Sequence, residues 1–450
     1  MNADLKSLVA AQMPQAKSEL AELVGFRSVA DPAVEDPAEC EKAATWVVER
    51  FAEIGFEDVK AHETPDGSEV VIGEIPASEG APTVLLYSHY DVQPGGDESK
   101  WTSPPFELTE RDGRWYGRGT ADCKGNTVAT LAALRALGTD KGKALPVGVK
   151  VVVEGSEEQG TGGLDRFAEA NPQLLAADAM LICDSGNFEP GLPTLTTTLR
   201  GIANVIVEVE TLAGPQHSGI YGGASPDALG ALIQMLAGLT DANGNTTIEG
   251  LDASQKWSGV DYSPEQFSAD AGLLDGVTLA GDGSVAEMLW ARPAVTVLGI
   301  DAPDVAGAVN AVNGHARAKV SVRVPPGMTG TEARDALVAQ LEASAPWNAR
   351  VSITTEAVAD PFNGAASGAA FDAASAALAQ AYGKDTVTMG QGGSIPLCTL
   401  LAELHPEAEI LLLGVEEPNC QIHAPNESVD PTEVERIALA LALFLSSYST

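Results

Sequence analysis

Basic residues are scarce in this 450-residue chain: 26 Lys and Arg stand against 63 Asp and Glu, a formal net charge of −37. Nucleic acids and anionic membranes bind through basic patches, so the balance argues against both as partners. Long apolar runs are missing as well. No stretch of about 18 apolar residues could span a bilayer, and the N-terminus lacks the basic-then-apolar pattern of a secretory leader. Cysteine is sparse: Cys40, Cys123, Cys183, Cys398 and Cys420 are odd in number and form no CxxC pair. That argues against a disulfide framework and predicts reduced thiols in a cytoplasmic protein. Charged residues at 20% and hydrophobic residues at 44% carry no signature of disorder. A chain this long exceeds a single core, so two domains are expected.

Carboxylates at strand ends are what the chain has in place of these. Val149–Val153 reads as a buried strand broken at Gly155, and Glu157 and Glu158 come next at its mouth, where open α/β sheets bind ligands. Two adjacent carboxylates repel, and one pKa rises sharply unless a cation neutralises them. Neighbouring residues also point apart, so one carboxylate can hold metal while the other moves protons. A solvated acidic turn would look the same, and the other strand ends are what favour a site. Thr83–Ser88 reads as a strand ending in His89-Tyr90-Asp91, with His89 and Asp91 on one side by alternation. A carboxylate so placed can fix the imidazole tautomer that a metal needs. Asp122 lies in a glycine-punctuated turn (117–125), Asp184 caps the apolar run 179–183, and His423 lies downstream of the apolar run 410–413. Oxygen and imidazole donors without paired thiolates suit zinc, manganese or cobalt at a hydrolytic site.

These segments are Ser-His-Tyr-Asp-Val, Gly-Arg-Gly-Thr-Ala-Asp-Cys-Lys-Gly, Glu-Gly-Ser-Glu-Glu-Gln-Gly, Gly-Gly-Ser-Ile-Pro and His-Ala-Pro-Asn-Glu. Together, and in this order, they resemble the M20 family of dinuclear metallopeptidases, in particular its cytosolic non-specific dipeptidase and carnosinase-like branch. The resemblance implies that Asp122 bridges two divalent metal ions per subunit, zinc first and manganese or cobalt as alternatives. It implies His89 and Asp184 on one ion, Glu158 and His423 on the other, and Asp91 behind His89. Glu157 is the implied general base for metal-dependent hydrolysis of dipeptides. The peptide bond after Asp122 is expected to be cis. His217 matches the family segment that serves the substrate of a neighbouring protomer, which implies a homodimer. Arg323, Gly393 and Ser394 match positions that hold a substrate carboxylate, and Asn310 aligns with a donor to the carbonyl region. Two departures blur substrate preference: 360–371 holds no histidine, and Gln391 stands where a carboxylate is expected. An amino-acid N-deacylase on the same scaffold is the alternative, and a non-catalytic metal-binding relative is disfavoured by retention of Glu157.

Helix and strand patterns alternate through Asp184, which predicts an α/β catalytic domain with a mostly parallel, zinc-exopeptidase-like sheet. After Gly201 the texture becomes that of a smaller α+β lid and dimerisation domain, with strands near 204–210, 294–300 and 316–324. The expected boundaries are 1–199 and 362–450 for the catalytic domain and 200–361 for the insert. Asp430-Pro431-Thr432-Glu433 reads as the start of the last helix, with an N-cap and a proline at its first position.

Overall fold

The computed structural model describes residues 2–393 and 395–448, the side chains of residues 2 and 3 excepted. The chain forms two compact units: a larger one of residues 1–197, 364–389 and 400–450, and a smaller one of residues 198–363 and 390–399.

In the larger unit a mixed sheet runs in the order Lys60–Glu63, Glu69–Ile75, Gly148–Glu154, Thr83–His89, Ala179–Cys183, Glu409–Leu413 and Thr194–Leu199. Its four central strands are mutually parallel, and antiparallel pairs flank them. The expected parallel character therefore holds for the centre, and the edges are antiparallel. Strands covered on both faces need near-continuous apolar sequence, and every residue of Gly148–Glu154 and Ala179–Cys183 is buried. Because the central four are parallel, their carboxyl ends share one edge. His89 pairs with Glu154 there, and Leu413 with Cys183. The turns that leave these four strands are thereby gathered along a single edge.

Helix Lys124–Leu137 is buried along its whole length and packs into the same core as Leu20, Leu23, Ile437 and Leu441 of the first and last helices. Its entry is tight. A Cβ on Gly125 would lie 2.2 Å from the Thr120 carbonyl oxygen, so only glycine lets the 117–125 turn run straight into a helix. The last helix is Pro431–Ser447, with the Asp430 side chain accepting from the Thr432 amide at 2.8 Å. No helix among the described residues is long and apolar enough to cross a membrane.

The smaller unit is built on a four-stranded antiparallel sheet in the order Ala294–Asp301, His315–Val324, Gly201–Glu210 and Arg350–Ala359. Ala203, Val205, Val207 and Val209 alternate inward with Ala316, Ala318, Val320, Val322 and Val324. Helices Ala228–Ala237 and Gly330–Ala343 share that core through Leu232, Met235, Leu337 and Leu341. The strand Arg350–Ala359 was not expected from sequence, and its burial explains why. It is a largely exposed edge with a polar Thr-Thr-Glu centre, so its apolar alternation is weak.

Candidate metal centre

The shared sheet edge assembles the residues that the sequence singled out. His89, fully buried, ends its strand, and its Nδ1 lies 3.0 Å from the carbonyl oxygen of Asp91 and 3.4 Å from the Asp91 carboxylate. The nearer acceptor is therefore the backbone carbonyl, not the side chain that strand alternation favoured. A proton on Nδ1 leaves Nε2 as a ligand lone pair. The Asp91 carboxylate instead accepts the backbone amides of Glu157 and Glu158, at 3.1 and 3.0 Å. It fixes the turn that carries both glutamates.

Asp122 faces two ways. Its Oδ1 is 2.9 Å from His89 Nε2, and its Oδ2 is 2.9 Å from His423 Nε2. Asp184 Oδ1 lies 3.2 Å from His89 Nε2, and Glu158 Oε2 lies 3.0 Å from His423 Nε2. The five side chains thus divide into two imidazole–carboxylate groups joined by Asp122, and the Asp122–Cys123 peptide is cis. His423 sits at φ +59° in a turn after Glu417, with half of its side chain exposed.

The electrostatics of so much negative charge are governed by burial. Burial alone would raise the Asp122 pKa, but hydrogen bonds from His423 and His89 hold it well below the usual carboxylate range. The same contacts to Asp122 and then Glu158 push His423 up to about 10. Burial, followed by the charge of Asp184, pushes Glu157 up to about 9. Divalent cations would reverse the upward shifts of Glu157 and His423 and keep Asp122 ionised, by supplying the missing positive charge. The donor set fits them: Asp122, Glu158 and His423 present ligand atoms within 4.8 Å of one another, as do His89, Cys123 and Asp184. Cys123 Sγ is otherwise engaged, with the Cys183 carbonyl as its acceptor at 2.9 Å.

Sequence reasoning missed four contributors. Glu416 joins Asp122 and Asp184 in a third group of ligand atoms within that distance, and burial, then the charges of Asp122 and Asp184, push its carboxyl well above the usual carboxylate range. A signal was present: Glu416-Glu417 repeats the adjacent pair at a strand end, and Glu417 turns away to Arg114 at 2.6 Å. Gly186 makes a bridge to Glu416, where a Cβ would lie 2.1 Å from the Glu416 carbonyl oxygen. Glu427 accepts from the amides of Gly119, Ala121 and Asp122 and pairs with buried Arg118 at 2.7 Å. It therefore fixes the turn that aims Asp122. Gln93 donates to Glu158 Oε2 at 2.8 Å. Asp66, from the turn at residues 64–67, accepts from Ser156 at 2.8 Å and from Thr161, so one carboxylate ties both ends of the Glu157–Glu158 turn.

The residues proposed to meet substrate lie in the smaller unit. His217 and Asn310 come together there: His217 pairs with Ala311, and the Ser218 amide donates to the Asn310 carbonyl at 2.9 Å. His217 is exposed, with Nδ1 accepting from the Gly219 amide at 3.1 Å. Arg323 is half-buried on its strand opposite Ile202, and Gly393 is exposed. Ser394 lies outside the described residues.

Residues 85–447 match the model of peptidase family M20/M25/M40. The cysteinylglycine-S-conjugate dipeptidase of Corynebacterium striatum is 47% identical over 412 residues, 91% of this chain and 90% of that protein. The Cys-Gly metallodipeptidase DUG1 of Saccharomyces cerevisiae is 28% identical over 439 residues, 90% of each. Human carnosine dipeptidase 1 shares the fold, with a TM-score of 0.79 over 98% of both chains at 22% identity. Ligand-type side chains gathered at one sheet edge, and a sequence match that spans them from His89 to His423, place this chain in peptidase family M20/M25/M40.

Proposed function

We propose that this protein is a metal-dependent dipeptidase holding two divalent ions per subunit, zinc first among them. The observation that carries the reading is Asp122, whose two oxygens each face a different imidazole at 2.9 Å. His89 and Asp184 would hold one ion, Glu158 and His423 the other, with Asp122 between them. Such a pair, when bound, supplies Lewis-acid polarisation of the scissile carbonyl and a lowered pKa for water. Glu157 is the general base. It accepts the proton of the attacking water and returns it to the leaving amine. Asp91 and Asp66 hold its turn, through amide and hydroxyl contacts respectively. The dipeptidase activities named for the Corynebacterium and yeast relatives support a dipeptide as substrate.

Arg323, Gly393, Ser394 and Asn310 would contact that substrate, and His217 would serve the site of a partner subunit in a homodimer. The exposed edge strand Ala294–Asp301, with Leu298 and Ile300 outward, supports the smaller unit as lid and dimerisation element. Cys40, Cys123, Cys183 and Cys420 form no disulfide, which supports a reducing compartment such as the cytoplasm. The test is hydrolysis of a dipeptide panel, Cys-Gly included, beside N-acetyl amino acids, after chelator dialysis and re-addition of Zn²⁺, Mn²⁺ or Co²⁺. Dipeptide cleavage should vanish with chelator and return with metal, at about two ions per chain. Turnover indifferent to chelator would overturn the metal assignment, and preference for N-acetyl amino acids would make the protein a deacylase.

A further inference from the structure

Glu416 is a buried carboxylate that nothing in the chain answers. Six glutamates are buried among the described residues, and five of them meet an arginine or a tyrosine hydroxyl at 2.6–2.9 Å: Glu19, Glu154, Glu417, Glu427 and Glu433. Glu416 is 7% exposed, and no group among the described residues donates a hydrogen bond to its carboxylate or forms an ion pair with it. It faces more negative charge instead: Asp122 and Asp184 each offer an oxygen within 4.8 Å of one of its own. Buried charges are kept where they are paired or where they coordinate metal, and among the described residues Glu416 has no pair.

Its backbone is held in place from both sides. The Asn126 side chain accepts the Val415 amide at 2.9 Å and donates to the Ala121 carbonyl at 3.4 Å, so one amide group ties the entry to Glu416 to the Asp122 turn. On the other side the Asn187 amide donates to the Glu416 carbonyl at 2.8 Å, next to the bridge that Gly186 makes. A Cβ on Gly414 would lie 2.1 Å from the Ser185 carbonyl oxygen, so the chain passes the Asp184 loop as closely as a glycine permits. Glu416 is thereby fixed relative to both Asp122 and Asp184. Cys123 is the other unassigned donor beside them, but its thiol is spent on the Cys183 carbonyl.

We infer that Glu416 is a sixth protein ligand of the metal centre, on the ion that His89 and Asp184 hold, and that it biases that position toward manganese. This deepens the dipeptidase reading and rests on it for the presence of two ions. With Glu416 the His89 side has one imidazole and three carboxylates, Asp122 being shared, whereas the His423 side has one imidazole and two. Zinc prefers four ligands and accepts imidazole readily, while carboxylate-rich sets of higher ligand number suit manganese. Asp122, Glu158, Asp184 and Glu416 together then carry four negative charges against the four positive charges of two divalent ions. Glu157 is left outside that balance, free to exchange protons.

The test compares wild type with Glu416→Gln, which keeps the shape and removes the charge, and with Glu416→Ala, which removes the donor oxygens too. Each protein is stripped with chelator and titrated with Mn²⁺, free ion being read by electron paramagnetic resonance, and with Zn²⁺ against a chromophoric chelator. Wild type should take up two Mn²⁺ per chain. In Glu416→Gln one of the two should bind at least about 10- to 100-fold more weakly, since even groups that only orient a ligand are worth that much, and in Glu416→Ala at least as weakly. The second Mn²⁺ should be unaffected, and Zn²⁺ affinity should fall by less. Metal-free Glu416→Gln should unfold at a temperature equal to or above metal-free wild type, because an unpaired buried charge has been removed. Equal Mn²⁺ binding by wild type and both variants overturns the inference. Equal loss of both ions and of both metals, with a less stable metal-free protein, also overturns it, since Glu416 would then be a structural residue. A wild type that holds two ions but cleaves no dipeptide sinks the functional reading, and the titrations still decide the role of Glu416.

Discussion

The two units handle charge in opposite ways. In the larger one, Asp122, Asp184, Glu157, Glu158 and Glu416 crowd together, and most of the surrounding polar atoms are already in use. Glu427 takes three amides and Arg118, Asp91 takes two amides, and Asp66 takes hydroxyls from both ends of one turn. In the smaller one, Arg200 and Arg323 are like charges that pair with no carboxylate among the described residues, and His217 stands exposed. The difference teaches how such a protein divides its labour. A metal centre needs ligands held rigidly before the metal arrives, so their supports are built in. Groups that recognise a substrate keep their hydrogen-bonding capacity free, because the substrate itself completes it.

The strongest way to break this contrast is at the adjacent glutamates. Glu157→Gln should lower kcat by about 10²–10⁴-fold or more while both metals stay bound, as loss of a general base predicts. Glu158→Gln removes the same charge one residue on and should instead lower metal content, read by elemental analysis after dialysis. Near-wild-type turnover in Glu157→Gln with metal bound would end its assignment as base.

His217 sharpens the comparison from the other unit. His217→Ala and Glu157→Gln, each inactive alone, are coexpressed with different tags and purified as the heterodimer. If His217 serves the partner's centre, one of the two sites lacks neither group, and activity returns to about half by symmetry. No recovery in doubly tagged heterodimer would mean that His217 acts within its own subunit or not at all.

Smaller effects are expected at the supports. Glu427→Gln keeps the shape but removes the charge that Arg118 and three amides share. Metal affinity should fall about 10- to 100-fold, the usual cost of losing a group that orients a ligand. Unchanged affinity would show that the Asp122 turn holds its shape without it.

Asp66→Asn should have the smallest effect, visible mainly as a change in pH dependence. Burial would raise the Asp66 pKa, but hydrogen bonds from Thr161, Thr64, the Ser68 amide and Ser156 hold it below the ordinary range. A carboxyl depressed in the folded state stabilises fully above its unfolded value of about 3.9 and loses that contribution as pH falls through the folded value. The gap in urea midpoint between wild type and Asp66→Asn should therefore be widest near about pH 5 and narrow toward about pH 2. A gap that does not change with pH would mean the carboxylate charge is not what holds the Glu157–Glu158 turn.

Much of the catalytic unit is legible in the order of residues along the chain, and the physics explains which part. Buried parallel strands need unbroken apolar runs, so Thr83–His89, Gly148–Glu154 and Ala179–Cys183 announce themselves, and a carboxylate or histidine directly after such a run can only lie at the sheet's edge. The ligand-type residues and Glu157 are therefore readable one after another. The exposed strand Arg350–Ala359 is not, because an edge strand is under little pressure to be apolar. Neither are Asp66 and Glu427. Their importance lies in what faces them across 90 residues between Asp66 and Ser156, or 305 between Asp122 and Glu427, and sequence carries no record of that distance being closed. The sequence by itself determined which residues could bind metal and move protons, because those capacities belong to side-chain chemistry and to local strand ends. Only the tertiary structure decided which polar groups find partners within the chain, because hydrogen-bond satisfaction in a buried site depends on every neighbour at once.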